Sequence, residues 1–252
     1  MTKKVVLIDG DEFIFKSCAA VEEVVKWDDQ NHVRYANPNK AWIILSQMVE
    51  RIFDRFDTRE HIVCFSTEPR SNFRYEVDPT YKNNRAESVK PMCYATMRER
   101  MQTEFKSQDF HDLEADDVMG VLATQPSKAQ KIIVSQDKDM KTIPGTLWTG
   151  KDLLQVTPIE ADYWHMFQTL VGDTSDGYKG CPGVGKVKAE KLLNECINEK
   201  GVHTMWPAVV EQYTNKGLTE EDALQQARLA RILRWSDWDS VNKKPILWTP
   251  NT

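Results

Sequence analysis

VVLIDGDEF, residues 5 to 13, sets four apolar residues, three of them β-branched, directly before Asp9 and Asp11. A short apolar run without polar alternation marks a strand buried on both faces. Acids just beyond such a run fall where parallel α/β sheets build their sites, at the carboxyl ends of strands. Two further runs repeat the arrangement: residues 61–65 (HIVCF) are followed by Glu68, and residues 131–134 (KIIV) by Asp137 and Asp139. Between the runs lie helical patterns at 12–25, 41–56, 92–105 and 114–123, the second with Trp42, Leu45, Val49, Ile52 and Phe56 near 3.6 spacing. Strand alternating with helix predicts a doubly wound, mostly parallel α/β sheet.

Beyond residue 157 the pattern is only helical. Pro158 opens a first turn, a glycine-rich break follows, and helices are expected at 186–199, 206–216 and 219–234, the last capped by Thr219 with Glu220, Glu221 and Asp222 behind it. The expected organisation is an α/β core over 1–157 and a helical region over 158–252. Residues 26–40 and 67–90 read as irregular, and the second is long enough to suggest function.

Composition limits the function classes. A chain of 252 residues with 40% hydrophobic and 28% charged residues is globular, not disordered or fibrous. Its apolar runs fall short of the about 18 residues a membrane span needs, and four apolar residues before Asp9 are too few for a signal peptide. A cytoplasmic protein without membrane partners is expected. Five scattered cysteines without a C-x-x-C pair argue against a zinc site or a disulfide framework. A net charge of -5 excludes a general basic coat, so any nucleic-acid contact must be local.

The acids are the informative feature. With Glu114, Asp116 and Asp117 in LEADDV, and Asp173 and Asp176 in GDTSD, ten carboxylates are candidates for one crevice. Such a cluster cannot stay ionised without cations. Oxygen donors without histidine or cysteine select hard ions, Mg²⁺ or Mn²⁺, and two of them about 4 Å apart suit in-line attack on a phosphodiester. Each motif alone has a plainer reading: first-turn helix acids, a strand-to-helix turn, an Asx-rich loop. Their joint placement after three strand ends and in two loops points to a site.

Basic residues complete the pattern. GCPGVGK, residues 180–186, reads as a tight hairpin leading into a helix, with Lys179, Lys186, Lys188 and Lys191 around it. Glycine amides and a helix N-terminus bind phosphate with little dependence on base sequence. FRYEVDPTYKNNR, residues 73–85, interleaves Arg74, Lys82 and Arg85 with Phe73, Tyr75 and Tyr81, a combination suited to clamping phosphate and unpaired bases.

In this order, VLIDGDEFIF, PTYKNNR, EADDVMG, SQDKDMKTIPG and GDTSDGYKGCPGVGKVKA resemble the motifs of the 5′-nuclease family, which includes flap endonucleases and the 5′-exonuclease domain of bacterial DNA polymerases. DGDEF, WHMFQTLVGDTSDGY and GLTEEDALQQARLARILRW most closely resemble the 5′→3′ exonucleases of short-tailed bacteriophages, and the likeness covers nearly the whole chain.

The resemblance implies a PIN-like α/β nuclease core, a clamp over the site at about 67–112, and a helix-three-turn-helix element that binds duplex DNA, often with a bound K⁺. It implies two Mg²⁺ or Mn²⁺ ions and hydrolysis from the 5′ end of nicked, gapped or flapped duplex DNA and of RNA primers in RNA/DNA hybrids. The setting implied is viral DNA replication and recombination in the host cytoplasm, with the chain as a monomer. Carried over by motif, Asp9 and Asp116 serve the first metal, with Glu114 orienting its water. Asp137, Asp139 and Asp173 serve the second, with Asp117 and Asp176 as helpers. Lys82 and Arg85 contact the scissile phosphate, Arg74 adds a DNA contact and Tyr81 stacks on the terminal base. Gly183, Val184, Gly185, Lys186 and Lys188 anchor the duplex.

One departure stands out. The family usually has an aspartate just after the second strand, where this chain reads CFSTEPRSNFR, with Ser66, Thr67 and Glu68. Either Glu68 replaces that ligand or the first metal is held more weakly.

Three rivals are weighed. A haloacid-dehalogenase-like phosphatase would use Asp9 as nucleophile and Asp11 as acid, but Phe13 stands where Thr or Val is usual, GDTSD is one residue short, and the other motifs go unused. A binding module that has lost a metal ligand would have no use for the remaining acids. A PIN-type endoribonuclease would not need the hairpin at 180–191. The sequence is therefore read as a metal-dependent 5′→3′ exonuclease on duplex DNA, with flap and primer-RNA removal as accompanying activities.

Overall fold

The computed structural model describes residues 3–28, 31–67, 71–85, 89–197 and 202–250. The first half runs β1 (Lys4–Asp9), α1 (Gly10–Ala19), β2 (Glu22–Lys26), β3 (His32–Ala36), α2 (Pro38–Phe56), β4 (His61–Cys64), α3 (Arg74–Val77), α4 (Tyr94–Glu104) and β5 (Ser107–Gln108). The second runs α5 (Ala115–Thr124), β6 (Gln130–Val134), β7 (Gly145–Trp148), β8 (Leu153–Val156), α6 (Pro158–Val171), α7 (Lys186–Ile197), α8 (Val202–Thr214), α9 (Glu220–Ala230) and the short pair β9 (Trp238–Asp239) and β10 (Lys244–Pro245).

Six strands form one sheet in the order β5-β4-β1-β6-β7-β8, parallel except for the last pair. In β1, Val6 and Ile8 enter the core beneath α1, α2 and α4, while Leu7 enters the opposite core with Val118 and Met119 of α5. Burial on both faces is what its unalternated apolar run predicts. The chain leaves β1 between β4 on one side and β6 on the other, with Ile8 in register with both Val63 and Val134. That is a topological switch point, and the three acid-bearing strand ends meet there. Gly10 makes the turn possible: a Cβ on it would lie 2.4 Å from the Phe65 ring.

The region after residue 157 has its own core, in which Met166 and Leu170 of α6 meet Leu193, Val209, Tyr213 and Ala227. Thr157 and Glu160 form a capping box around Pro158, as the sequence predicts for that helix start. The expected split at 157 is less clean than the pattern suggests, because Ile232, Leu233 and Trp238 return to pack with α5.

Several element boundaries differ from expectation. The helix over 12–25 ends at Ala19; its last residues enter β2, which pairs antiparallel with β3 in the stretch read as irregular. Val24, Val25, Val33 and Tyr35 favour strand, and cross-strand pairing outweighs the fit of Val24 and Val25 to a helical period. The last helix stops at Ala230, four residues early, because buried side chains bind the backbone of Arg231 and Leu233. The β7–β8 hairpin was not anticipated, its strands being short and its outer strand half exposed.

Candidate active site

The acids at the switch point are held in an unfavourable state. Asp9 ends β1 and caps α1, accepting from the Glu12 amide at 2.9 Å and from the Ser135 hydroxyl at 3.3 Å. Burial, with Glu12 and Asp11 nearby, pushes its carboxyl up to about 7. Asp116, in the first turn of α5, is pushed well above the ordinary carboxylate range by burial and then by Asp9, Asp137 and Glu114. Burial and Asp137 raise Asp139 to about 7, and its Oδ1 is buried without a hydrogen-bond partner.

Two acids behave oppositely. Burial works against the Asp173 carboxylate, but the Ser175 hydroxyl, Lys138 and the Ser175 amide together hold it down at about 2. Glu114 is half-buried, which raises its carboxyl, yet Lys82 and Arg74 bring it below the usual value.

Cations occupy the gaps between acids. The Lys82 ammonium donates to Glu114 and lies 3.6 Å from Asp176. Arg85 donates to Asp176 at 2.7 Å and to the Ser175 carbonyl at 2.8 Å. Lys138 lies 3.0 Å from Asp173 and 3.8 Å from Asp139. As the side chains stand, no three acids among the described residues close round one point. The donor set nevertheless suits hard divalent cations: it is oxygen alone, several carboxyls are raised by burial and then by neighbouring acids, and one buried oxygen is orphaned.

The structure removes three residues from their expected roles. Asp117 is fully buried and accepts from Arg74 at 2.7 and 2.9 Å and from the Leu233 amide at 3.0 Å, so it is a structural counter-ion and not a helper to a metal. Arg74 is 2% exposed and also donates to the carbonyls of Leu229 and Arg231, which withholds it from DNA. Tyr81 is 2% exposed, with its hydroxyl donating to Asp176 at 2.9 Å and lying 3.1 Å from Glu114, an enclosed position in which it cannot stack on a base. Val184 keeps its place in the hairpin, with its side chain buried in the helical core and its amide donating to the Cys181 carbonyl at 3.1 Å.

Asp11 is also drawn out of the ten-acid group. It accepts from the Ser66 amide at 2.9 Å, the Tyr94 hydroxyl at 2.6 Å and Arg98 at 3.2 Å. At the departure after the second strand, the Ser66 hydroxyl accepts from the Ala115 amide at 3.0 Å and the Thr67 hydroxyl donates to the Leu113 carbonyl at 3.1 Å. Both tie β4 to the start of α5. Glu68 lies outside the described residues.

Residues not singled out from sequence also serve the site. Glu12 accepts from the Ser135 hydroxyl at 2.7 Å and the Gln136 amide at 2.9 Å, and Asn84 donates to the carbonyls of Thr174 and Ser175. Ser135 was discoverable, because it follows the third apolar run directly.

The glycine turn is closely built. Gly172 and Gly180 have φ of 73° and 65°, and a Cβ on Gly180 would lie 2.4 Å from the Gly172 nitrogen. Beyond it Gly183, Gly185, Lys186 and Lys188 are exposed, and the space beside Gly185 is open. Lys216, from the end of α8, reaches the same corner, its ammonium 3.6 Å from where a Gly183 Cβ would be.

Comparison with known proteins agrees with this architecture. The sequence model described as the 5′-3′ exonuclease N-terminal resolvase-like domain matches residues 4–160. The exodeoxyribonuclease of Enterobacteria phage T3 is 34% identical over 99% of this chain and 94% of its own length. The exonuclease of Escherichia phage T7 is 34% identical over 98% and 94%. Among solved structures, the bacteriophage T5 flap endonuclease in complex with DNA and metal ions covers 90% of this chain and 89% of its own, with a TM-score of 0.66 at 15% identity. The T5 5′-exonuclease with bound zinc gives 0.64 at 16% identity over 90% of this chain and 89% of its own. From the switch-point acids to the full-length phage relatives, the observations agree that this chain belongs to the 5′-3′ exonuclease family.

Proposed function

We propose that the acidic crevice hydrolyses phosphodiesters from the 5′ end of duplex DNA with two divalent ions, Mg²⁺ or Mn²⁺. The observation that carries this is the meeting of acids at the ends of β1, α5 and β6, where Asp116 lies under the charge of Asp9 and Asp137, Asp139 under that of Asp137, and the buried Asp139 Oδ1 has no hydrogen-bond partner. Asp9 and Asp116 hold one ion, Asp137, Asp139 and Asp173 the other, and Asp176 stands beside them. Bound there, the ions supply an activated water and charge neutralisation at the scissile phosphate.

The chain's own residues do the rest. Glu114, kept ionised by Lys82 and Arg74, orients the water and accepts hydrogen bonds from it. Arg85 meets the scissile phosphate in exchange for its present partner Asp176, and Lys82, held in place by Glu114, presents its charge to the same phosphate. The backbone at Gly183 and Gly185 with Lys186, Lys188 and Lys216 grips the duplex away from the cut, and a K⁺ at this turn belongs to the same reading. The segment 67–112, including α4, forms the clamp. Ends, nicks, gaps, flaps and RNA/DNA hybrids are the substrates, and the active form is a monomer. The phosphatase alternative lacks its acid, because Asp11 is engaged by Tyr94, Arg98 and the Ser66 amide.

The test is Mg²⁺-dependent degradation of one duplex labelled at the 5′ end in one sample and the 3′ end in another, with EDTA as control. Early mononucleotides from the 5′ label alone are expected. Intact DNA despite binding would refute the catalytic reading.

A further inference from the structure

We infer that Lys138 is an exchangeable counter-ion, standing between Asp139 and Asp173 until the second divalent ion takes that place, so that its ammonium sets the affinity of the site for that ion. The inference rests on the proposal that Asp139 and Asp173 hold a cation.

Three observations carry it. Lys138 is flanked in sequence by Asp137 and Asp139, and its ammonium contacts Asp173 across the crevice at 3.0 Å. It fills the gap incompletely: at 3.8 Å from Asp139 Oδ1 it is too far for a hydrogen bond, and that buried oxygen has no other partner. An ammonium offers one charge, whereas a divalent ion offers two and binds several oxygens at once. Finally, Lys138 is free to leave. Its side chain is 74% exposed, against 17% for Lys82, which is packed against the Tyr81 ring and gripped by Glu114 and Asp176. Of the two lysines among the acids, Lys82 is built in and Lys138 is poised to exchange.

Removing Lys138 eliminates both its competition for the carboxylates and its repulsion of the incoming ion, and the two effects have the same sign. The test is Mn²⁺ titration of the full chain without DNA, followed by electron paramagnetic resonance of free Mn²⁺, for wild type, K138M, K138R and D173N. K138M should bind the Mn²⁺ that D173N loses about tenfold more tightly, equivalent to about 1.4 kcal/mol. Without metal it should melt below wild type, and saturating Mn²⁺ should close that gap. K138R keeps the charge and should bind no more tightly than wild type.

Unchanged Mn²⁺ affinity in a folded K138M would overturn the inference and leave the two-ion reading standing, provided D173N still loses an ion. If K138M did not fold, K138R binding more tightly than wild type would overturn it equally. Wild type that takes up no Mn²⁺ would sink the two-ion reading itself.

Discussion

The Arg74 guanidinium and the Asp117 carboxylate face each other through two hydrogen bonds of 2.7 and 2.9 Å, with side chains 3% and 0% exposed. The pair joins the base of the clamp segment to α5, and its remaining bonds reach the backbone of Leu229 in the last turn of α9 and of Arg231 and Leu233 just beyond it. Removing one partner strands a buried charge, so Arg74→Ala or Asp117→Ala should each cost about 3–5 kcal/mol. Urea denaturation measures this, and a loss below about 1 kcal/mol would show that the pair bears little of the fold's stability.

The metal-free protein should lose stability as pH rises. Asp9 and Asp139 have folded carboxyls near 7 against an ordinary 3.8, so the folded state binds more protons than the unfolded state between those values. Their contribution is present below about pH 4 and is lost as pH climbs through 7. Asp173, lowered to about 2, acts oppositely and loses its contribution only as pH falls from about 4 towards 2. In EDTA, Asp139→Asn should flatten the decline in melting temperature between pH 5 and 8, and in Mg²⁺ it should abolish nuclease activity while sparing DNA binding. An unchanged slope would show that Asp139 ionises normally in the folded protein.

The sheet was legible because burial on both faces leaves a plain mark, an apolar run ending in an acid. The site was legible only as a collection. Asp116 lies under the charge of Asp9 and Asp137, and Asp139 under that of Asp137, as their strand and helix ends require, but nothing in LEADDV distinguishes Asp116, which faces other acids, from Asp117, which faces an arginine forty-three residues away. The basic character of Arg74 suggested a ligand, whereas its partner Asp117 and the carbonyls after α9 are contacts that local sequence does not encode. The β2–β3 hairpin was hidden for a related reason, since pairing five residues with five others decides between strand and helix where the local period is ambiguous.

Asp11 should behave as a positioning residue. Through Ser66 it connects the α1 turn to β4, the Ser66 hydroxyl continues to α5, and Tyr94 and Arg98 bring in α4. Asp11→Ala loosens the clamp helix against the turn that carries Asp9 without touching the duplex-binding corner. The expected result is kcat reduced about tenfold or more, the size of effect that misplacement of reacting groups gives, with duplex affinity unchanged. A change confined to affinity would place Asp11 with substrate binding instead.

The exposed corner at 183–188 gives the sharpest test of where the duplex lies. Each phosphate contact releases a counterion, so the logarithm of affinity falls with the logarithm of salt by about 0.9 per contact. Lys186→Ala with Lys188→Ala should therefore weaken duplex binding and flatten that slope by about 2, leaving the rate at saturating DNA close to wild type. Arg74→Ala provides the contrast: being buried against Asp117, it should leave the slope unchanged in whatever fraction folds. A slope altered by Arg74 and untouched by the two lysines would move the duplex from the hairpin to the clamp.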